Sequence, residues 1–227
     1  MTRVRIAVLA SGGGSNLQAL IDFFASLGER RAGDLVLVAS DRPGAGALDR
    51  ARHAGIATAT IVSTHAPDGA PMDTLLAQHR IDLVVLAGYL KLIPADVTRR
   101  YAGHLLNVHP ALLPAFGGSG MYGARVHRAV LAAGASATGP TVHFVDDIFD
   151  HGAVIAQWPV PVLAGDDAHR LAARVLRAEH LLYPRVVQAV AAGEVRLTPD
   201  GRVDPPFVLD RATLPPLDPE LADAPFA

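Results

Sequence analysis

The chain has 227 residues, half of them hydrophobic and 19% charged, which suits one large globular domain or two closely joined halves. Its 20 basic and 22 acidic residues leave a net charge of -2, which removes the electrostatic case for nucleic acid or a membrane surface as partner. Cysteine is absent, so disulfides, thiolate chemistry and cysteine-ligated zinc are excluded.

Apolar runs alternate with helical patterns, the βαβ rhythm of a mostly parallel sheet covered on both faces. Residues 4–10 read as the first strand. Gly12-Gly13-Gly14-Ser15-Asn16 follows, and then Leu17, Leu20, Ile21 and Phe24 fall at i, i+3, i+4 and i+7 of a helix ending near Gly28. Residues 35–39 are a second strand, 45–54 a helix closed by Gly55, and 56–62 a third strand. A helix over 72–79 leads to a buried strand over 83–87 that ends at Gly88. A short helix opens at Pro94, since proline is tolerated in a first helical turn. The next strand, 105–108, puts Asn107 and His109 near its C-terminal end, where open α/β sheets place ligands.

Beyond that point the pattern changes. Residues 114–124 are loop-like, 125–133 helical, and 138–145 and 153–162 strand-like with an antiparallel pairing. A long helix from about 167 to 192 carries Pro184, which is expected to kink or divide it. The tail from Pro199 is rich in proline, has little periodicity, and is expected to lie along the surface or fray. There is no internal repeat. The chain enters a strand at once, without a charged-then-apolar leader, and no apolar run nears the roughly 18 residues of a membrane span. A soluble cytoplasmic protein is expected.

The glycine-rich turn lets backbone N–H groups face an anion, with the helix N-terminus adding partial positive charge. Ser15 and Asn16 are good helix caps. The loop lacks the lysine of a Walker loop and has Leu17 where a dinucleotide fingerprint needs its third glycine, so phosphate fits better than a dinucleotide. A plain strand-to-helix turn capped by Ser15 is the other reading.

Asn107-Val108-His109-Pro110, with Asp150 downstream, gathers an amide, an imidazole and a carboxylate. Moving an acyl group between nitrogens needs such a set: a donor for the oxyanion, a proton for the leaving amine, and an acid to tune the imidazole. Of the ten histidines, His53, His65, His79 and His169 sit in polar or helical surface contexts. His104 precedes a strand and His127 lies on a helix. His143 is either a core histidine or one that supports or touches the site. Asp146, Asp147 and Asp150, followed by His151, form a solvated turn or a metal site. No recognised spacing such as His-Glu-x-x-His accompanies them, so no metal is expected. The stretch from Leu86 to Ile93 carries Lys91, the only lysine, and suits either a flat aromatic ligand with a polar edge or an ordinary buried connector.

In this order the motifs resemble the phosphoribosylglycinamide formyltransferase family, the folate-dependent transformylases of purine synthesis. The resemblance runs over about residues 3–198. It is carried by Gly13-Gly14-Ser15-Asn16-Leu17-Gln18, Leu86-Ala87-Gly88-Tyr89-Leu90-Lys91, and Asn107-Val108-His109-Pro110-Ala111-Leu112-Leu113-Pro114. The stretch from Thr138 to Val145, the Asp150 loop and Glu179-His180 complete it. It implies a Rossmann-like fold: an open, mostly parallel twisted α/β sheet with helices on both faces and an antiparallel C-terminal extension. It also implies a formyltransferase domain over 1–198, with a nucleotide- and phosphate-binding half (1–106) and a catalytic and folate-binding half (107–198). A tail follows at 199–227.

The resemblance implies that Asn107, His109 and Asp150 are catalytic, and that Gly14, Ser15 and Asn16 hold the substrate's 5′-phosphate. Glu179 would hold its ribose and glycinamide part. Leu90, Lys91, Leu92, Ile93, Asn107, Asp146 and Asp147 would line the pterin pocket, largely through backbone groups. The donor would be 10-formyltetrahydrofolate, used as a co-substrate without a metal. Asp150 would raise the His109 pKa and help carry the proton from attacking to leaving nitrogen. The partners are small-molecule substrates, and the protein is a monomer or homodimer.

Some positions depart from the family pattern. Asp68-Gly69-Ala70 stands where many members have an arginine, and Lys91 replaces an arginine without its planar fork. The segment from Phe116 to His127 is longer than in some members, and His151 replaces a second glycine. Formyltetrahydrofolate hydrolase shares the trio but usually carries an N-terminal regulatory domain, which is not expected before Val4. Methionyl-tRNA formyltransferase needs a further C-terminal domain and a basic surface. A non-catalytic nucleotide-binding module is argued against by the intact trio.

Overall fold

The structure is a computed structural model, and it describes residues 3–61, 70–210 and 214. His65, the Asp68-Gly69 departure, the end of the third expected strand at Val62 and most of the tail beyond 210 lie outside the described residues.

β1 (Val4–Leu9) passes through the glycine loop into α1 (Ser15–Leu27), and β2 (Gly33–Ser40) leads to α2 (Gly46–His53). β3 (Ala57–Thr60), α3 (Ala70–Gln78), β4 (Leu83–Leu86), α4 (Ala95–Arg100) and β5 (Leu105–His109) continue the alternation. After α5 (Ala124–Ala132) come β6 (Ala137–Thr138), β7 (Thr141–Phe144), β8 (Val154–Gln157) and β9 (Val160–Pro161). The long α6 (Ala168–Ala191) is followed by a hairpin of β10 (Arg196–Leu197) and β11 (Val203–Asp204).

One seven-stranded sheet has the order β3-β2-β1-β4-β5-β7-β8. Pairing is parallel from β3 to β5, and then β7 runs antiparallel to β5 and β8 to β7. β4, and β1 from Ile6 onward, are covered on both faces, which is why they read as unbroken apolar runs. Along β1 the side chains alternate between two clusters. Ile6 and Val8 pack with Leu17, Leu20 and Phe24 of α1 and Val175, Leu182 and Val186 of α6. Ala7 and Leu9 pack with Leu76 of α3 and Val97 of α4. The strand order reverses between β1 and β4, so a crevice opens above their C-terminal ends. There Ser11 N donates to Gly88 O at 3.0 Å, joining the loops that follow the two strands.

The C-terminal region differs in detail from expectation. Pro140 and Pro159 cannot donate to a strand ladder. Each expected long strand therefore divides, into β6 and β7 and into β8 and β9. Helix α6 is not divided at Pro184. Its residues around the proline are buried, and the Tyr183 hydroxyl bonds Leu86 O at 2.9 Å and Leu106 O at 3.2 Å, fastening the helix across the sheet. The β10–β11 hairpin spans the expected start of the tail, and there the Thr198 hydroxyl donates to Arg202 O at 2.9 Å and accepts from Arg202 N at 3.0 Å. Among the described residues no helix is long and apolar enough to cross a membrane.

Candidate active site

Asn107 and His109 occupy the C-terminal end of β5, and its antiparallel pairing with β7 sets Asn107 opposite His143. Asn107 Nδ2 lies 3.1 Å from His143 Nε2 and donates to Asp150 Oδ1 at 3.3 Å. Asp150 Oδ2 is 3.3 Å from His109 Nδ1 and accepts Gly118 N at 3.0 Å. His109 Nε2 meets Phe116 O at 2.9 Å. The structure thus brings Asn107, His109 and Asp150 together.

The backbone around this group is held under constraint. Phe116 and Asp150 have φ of 57° and 54°, the left-handed region that non-glycine residues rarely adopt. Between them Gly117 allows close approach, since a Cβ there would stand 2.5 Å from Leu113 Cδ2 and 3.1 Å from Asp150 Cβ. The Thr141 hydroxyl ties down the segment after His109, accepting Leu113 N at 3.0 Å and donating to Ala111 O at 2.6 Å.

Burial pushes the Asp150 carboxyl up, but His143, the charge of His109 and the Gly118 N–H outweigh it and hold the group below its usual value. His109 goes the other way from expectation. Burial lowers its pKa, and the raising pulls of Asp150 and Phe116 O do not make up the difference. Both ring nitrogens face oxygens, so the imidazolium is the form that satisfies both contacts, while burial favours the neutral ring. His127, from α5, is 4% exposed and has its Nδ1 without a partner among the described residues. Burial and then the His109 charge lower its pKa to about 4.

A cavity of about 810 Å³ extends from this group. Asn16 and Glu179 line one end of it, and Leu90–Ile93 with Val145, Asp146 and residues 148–150 another wall. Asn16 Nδ2 donates to Glu179 Oε2 at 2.6 Å, while the buried Asn16 Oδ1 has no partner among the described residues. Burial raises the Glu179 carboxyl to about 7, against the pull of that amide. On the other wall Leu90 N donates to Ser11 Oγ at 3.0 Å, and Ser11 Oγ to Asp41 Oδ1 at 2.6 Å. Lys91 Nζ lies 3.7 Å from Asp41 Oδ2.

Three expected residues sit differently. Gly14, with φ of 76°, is the cap of α1, and a Cβ on it would stand 2.8 Å from Ala47 Cα. Ser15 is the first helical residue, and neither it nor Asn16 caps the helix, because glycine takes the left-handed cap position and Asn16 turns to Glu179. Gly14 and Ser15 do not line the cavity, and neither does Asp147, whose carboxylate accepts the Thr98 hydroxyl of α4. His151 pairs with Asp146 at 2.6 Å on the surface, and no metal-holding cluster of three or more such groups occurs among the described residues. His127 lines the cavity although its sequence context marks only a helix. The available signal for His143 was the strand pairing, which sets it beside Asn107.

An amide donor, an imidazole and an ionised carboxylate at one end of a cavity, with a helix start at the other, can pass an acyl group and a proton between two bound nitrogens. Residues 4–187 match the family model described as formyl transferase. The chain is 43% identical over 203 residues to a chloroplastic phosphoribosylglycinamide formyltransferase of Vigna unguiculata, covering 88% of this chain and 64% of that protein. It is 41% identical over 199 residues to the phosphoribosylglycinamide formyltransferase of Escherichia coli (strain K12), covering 86% of this chain and 90% of that one. A crystal structure of glycinamide ribonucleotide transformylase 1 from Symbiobacterium toebii is similar, with a TM-score of 0.79 and 38% identity over 88% of this chain and 93% of that chain. The chain therefore belongs to the formyl transferase family.

Proposed function

We propose that the protein transfers the formyl group of 10-formyltetrahydrofolate to the amine of 5′-phosphoribosylglycinamide, giving formylglycinamide ribonucleotide and tetrahydrofolate. The observation that carries this reading is the single cavity that joins Asn107, His109 and Asp150 to Asn16 and Glu179. Membership of the family implies a folate-derived formyl donor, and the relatives named above support the ribonucleotide as acceptor.

In this reading the start of α1, from Gly14 to Asn16, holds the 5′-phosphate through backbone N–H groups. Glu179 and Asn16 hold the ribose and glycinamide. The pterin lies against Leu90–Ile93 and the loop from Asp146 to Asp150. The amine attacks the formyl carbon, and the carbonyl electrons move onto oxygen. Asn107 donates to that oxygen. His109 takes the proton given up by the attacking nitrogen, and the imidazolium so formed is stabilised by Asp150 and Phe116 O. As the oxyanion collapses, the bond to N10 breaks and His109 returns the proton to N10. Burial favours the neutral form of His109, which suits a group that must accept this proton.

Transfer to water by the same trio is the second reading, and the Asn16–Glu179 end of the cavity favours transfer to a nucleotide. With carbon-labelled formyl donor, mass spectrometry is expected to find the label on the ribonucleotide amine. Label released only as formate would overturn the proposal.

A further inference from the structure

Arg50 of α2 reaches the glycine loop from behind. Its Nε donates to Gly13 O at 2.8 Å and its Nη1 to Gln18 Oε1 of α1 at 3.0 Å. The start of α2 also presses on the loop. Ala47 N donates to Gly12 O at 3.1 Å, and a Cβ on Gly46 would stand 3.4 Å from Gly13 Cα. His180, next to Glu179 on α6, has its pKa lowered by burial and then by the charge of Arg50. The guanidinium thus serves the loop, α1 and α2 at once, and its charge reaches α6.

A trans peptide points its C=O and the following N–H in opposite directions. A bond that fixes Gly13 O toward Arg50 therefore turns the Gly14 N–H to the opposite side. We propose that Arg50 is a positioning residue for the substrate phosphate: it locks the Gly13–Gly14 peptide with its N–H presented to the anion, and places a fixed positive charge behind it. This rests on the phosphate reading of the loop given above. Lysine at this position keeps the charge but lacks the planar fork that bonds Gly13 O and Gln18 together.

The test measures binding of ribose 5-phosphate and of phosphate-free ribose by titration calorimetry, beside steady-state kinetics, for Arg50→Ala, Arg50→Lys and Gln18→Ala. Arg50→Ala is expected to weaken ribose 5-phosphate binding and raise the ribonucleotide KM about tenfold, the loss of one charge-assisted contact. The folate KM and the saturated kcat stay within about twofold. Arg50→Lys and Gln18→Ala fall between, and the Gly14 amide resonance moves in each variant. Ribose 5-phosphate binding within about twofold of the parent in Arg50→Ala overturns the proposal. If that variant does not fold, the same result in Arg50→Lys overturns it. A parent protein that binds ribose 5-phosphate no better than ribose refutes the phosphate reading itself, and the role of Arg50 falls with it.

Discussion

Glu179→Gln will stabilise the unliganded protein at alkaline pH while weakening its hold on the ribonucleotide. The Glu179 carboxyl is buried at one end of the cavity, and burial lifts its pKa from 4.5 to about 7. An acid whose pKa is raised on folding holds its proton more tightly folded than unfolded. Its contribution is complete below about pH 4.5 and is lost as the pH climbs through about 7. At about 1.36 kcal/mol per pH unit, that loss comes to roughly 3 kcal/mol. Glutamine has no proton to lose and keeps an oxygen for Asn16 Nδ2. Its amide also offers a donor to Asn16 Oδ1, which has no partner among the described residues. The gap in melting temperature between variant and parent is expected to widen by about 6–12 °C from below pH 4.5 to pH 8, at about 2–4 °C per kcal/mol for a chain of this size. Asp150 and His109 are present in both proteins, so their titrations cancel in the difference. Thermal and urea unfolding of the two proteins across that range measure the gap. A constant gap would refute the reasoning, because it would mean that Glu179 ionises as freely folded as unfolded.

Three further outcomes are expected. Asn107→Ala, His109→Ala and Asp150→Asn each cut turnover by about a hundredfold or more, with an unchanged far-ultraviolet circular dichroism spectrum; a near-normal rate for His109→Ala would remove it from the chemistry. Gly14→Ala forces a side chain into φ of 76° and onto Ala47, so it costs about 1–3 kcal/mol in urea unfolding and raises the ribonucleotide KM but not the folate KM. His127, whose pKa is lowered from 6.5 to about 4, resists protonation only when folded, so stability falls as the pH drops from 6.5 toward 4. His127→Asn is expected to flatten that acid decline in thermal melts, and a parallel decline in both proteins would count against a buried neutral imidazole.

The alternation of strands and helices was legible because β4, and β1 from Ile6 onward, are buried on both faces and so are written as continuous apolar runs. Boundaries failed where the deciding contact lies elsewhere in the chain. Pro184 stays inside α6 because the residues around it are packed against the sheet, which local propensity does not record. Asn107 and His109 were legible as a local motif at a strand end. His143 depends on cross-strand register, and His127 on how α5 docks, so neither could be weighed from its neighbours alone. The lowered His109 pKa was missed because a carboxylate partner is visible in sequence and burial is not. The bond between Asn16 and Glu179 spans 163 residues, and only the fold brings the two together.

The most direct test of formyl transfer to the ribonucleotide is an omission assay. Purified protein is mixed with glycinamide ribonucleotide and 10-formyltetrahydrofolate, the folate absorbance is followed, and each substrate is left out in turn. Tetrahydrofolate is expected to form only when both are present. Turnover without the ribonucleotide would contradict this and identify water as the acceptor.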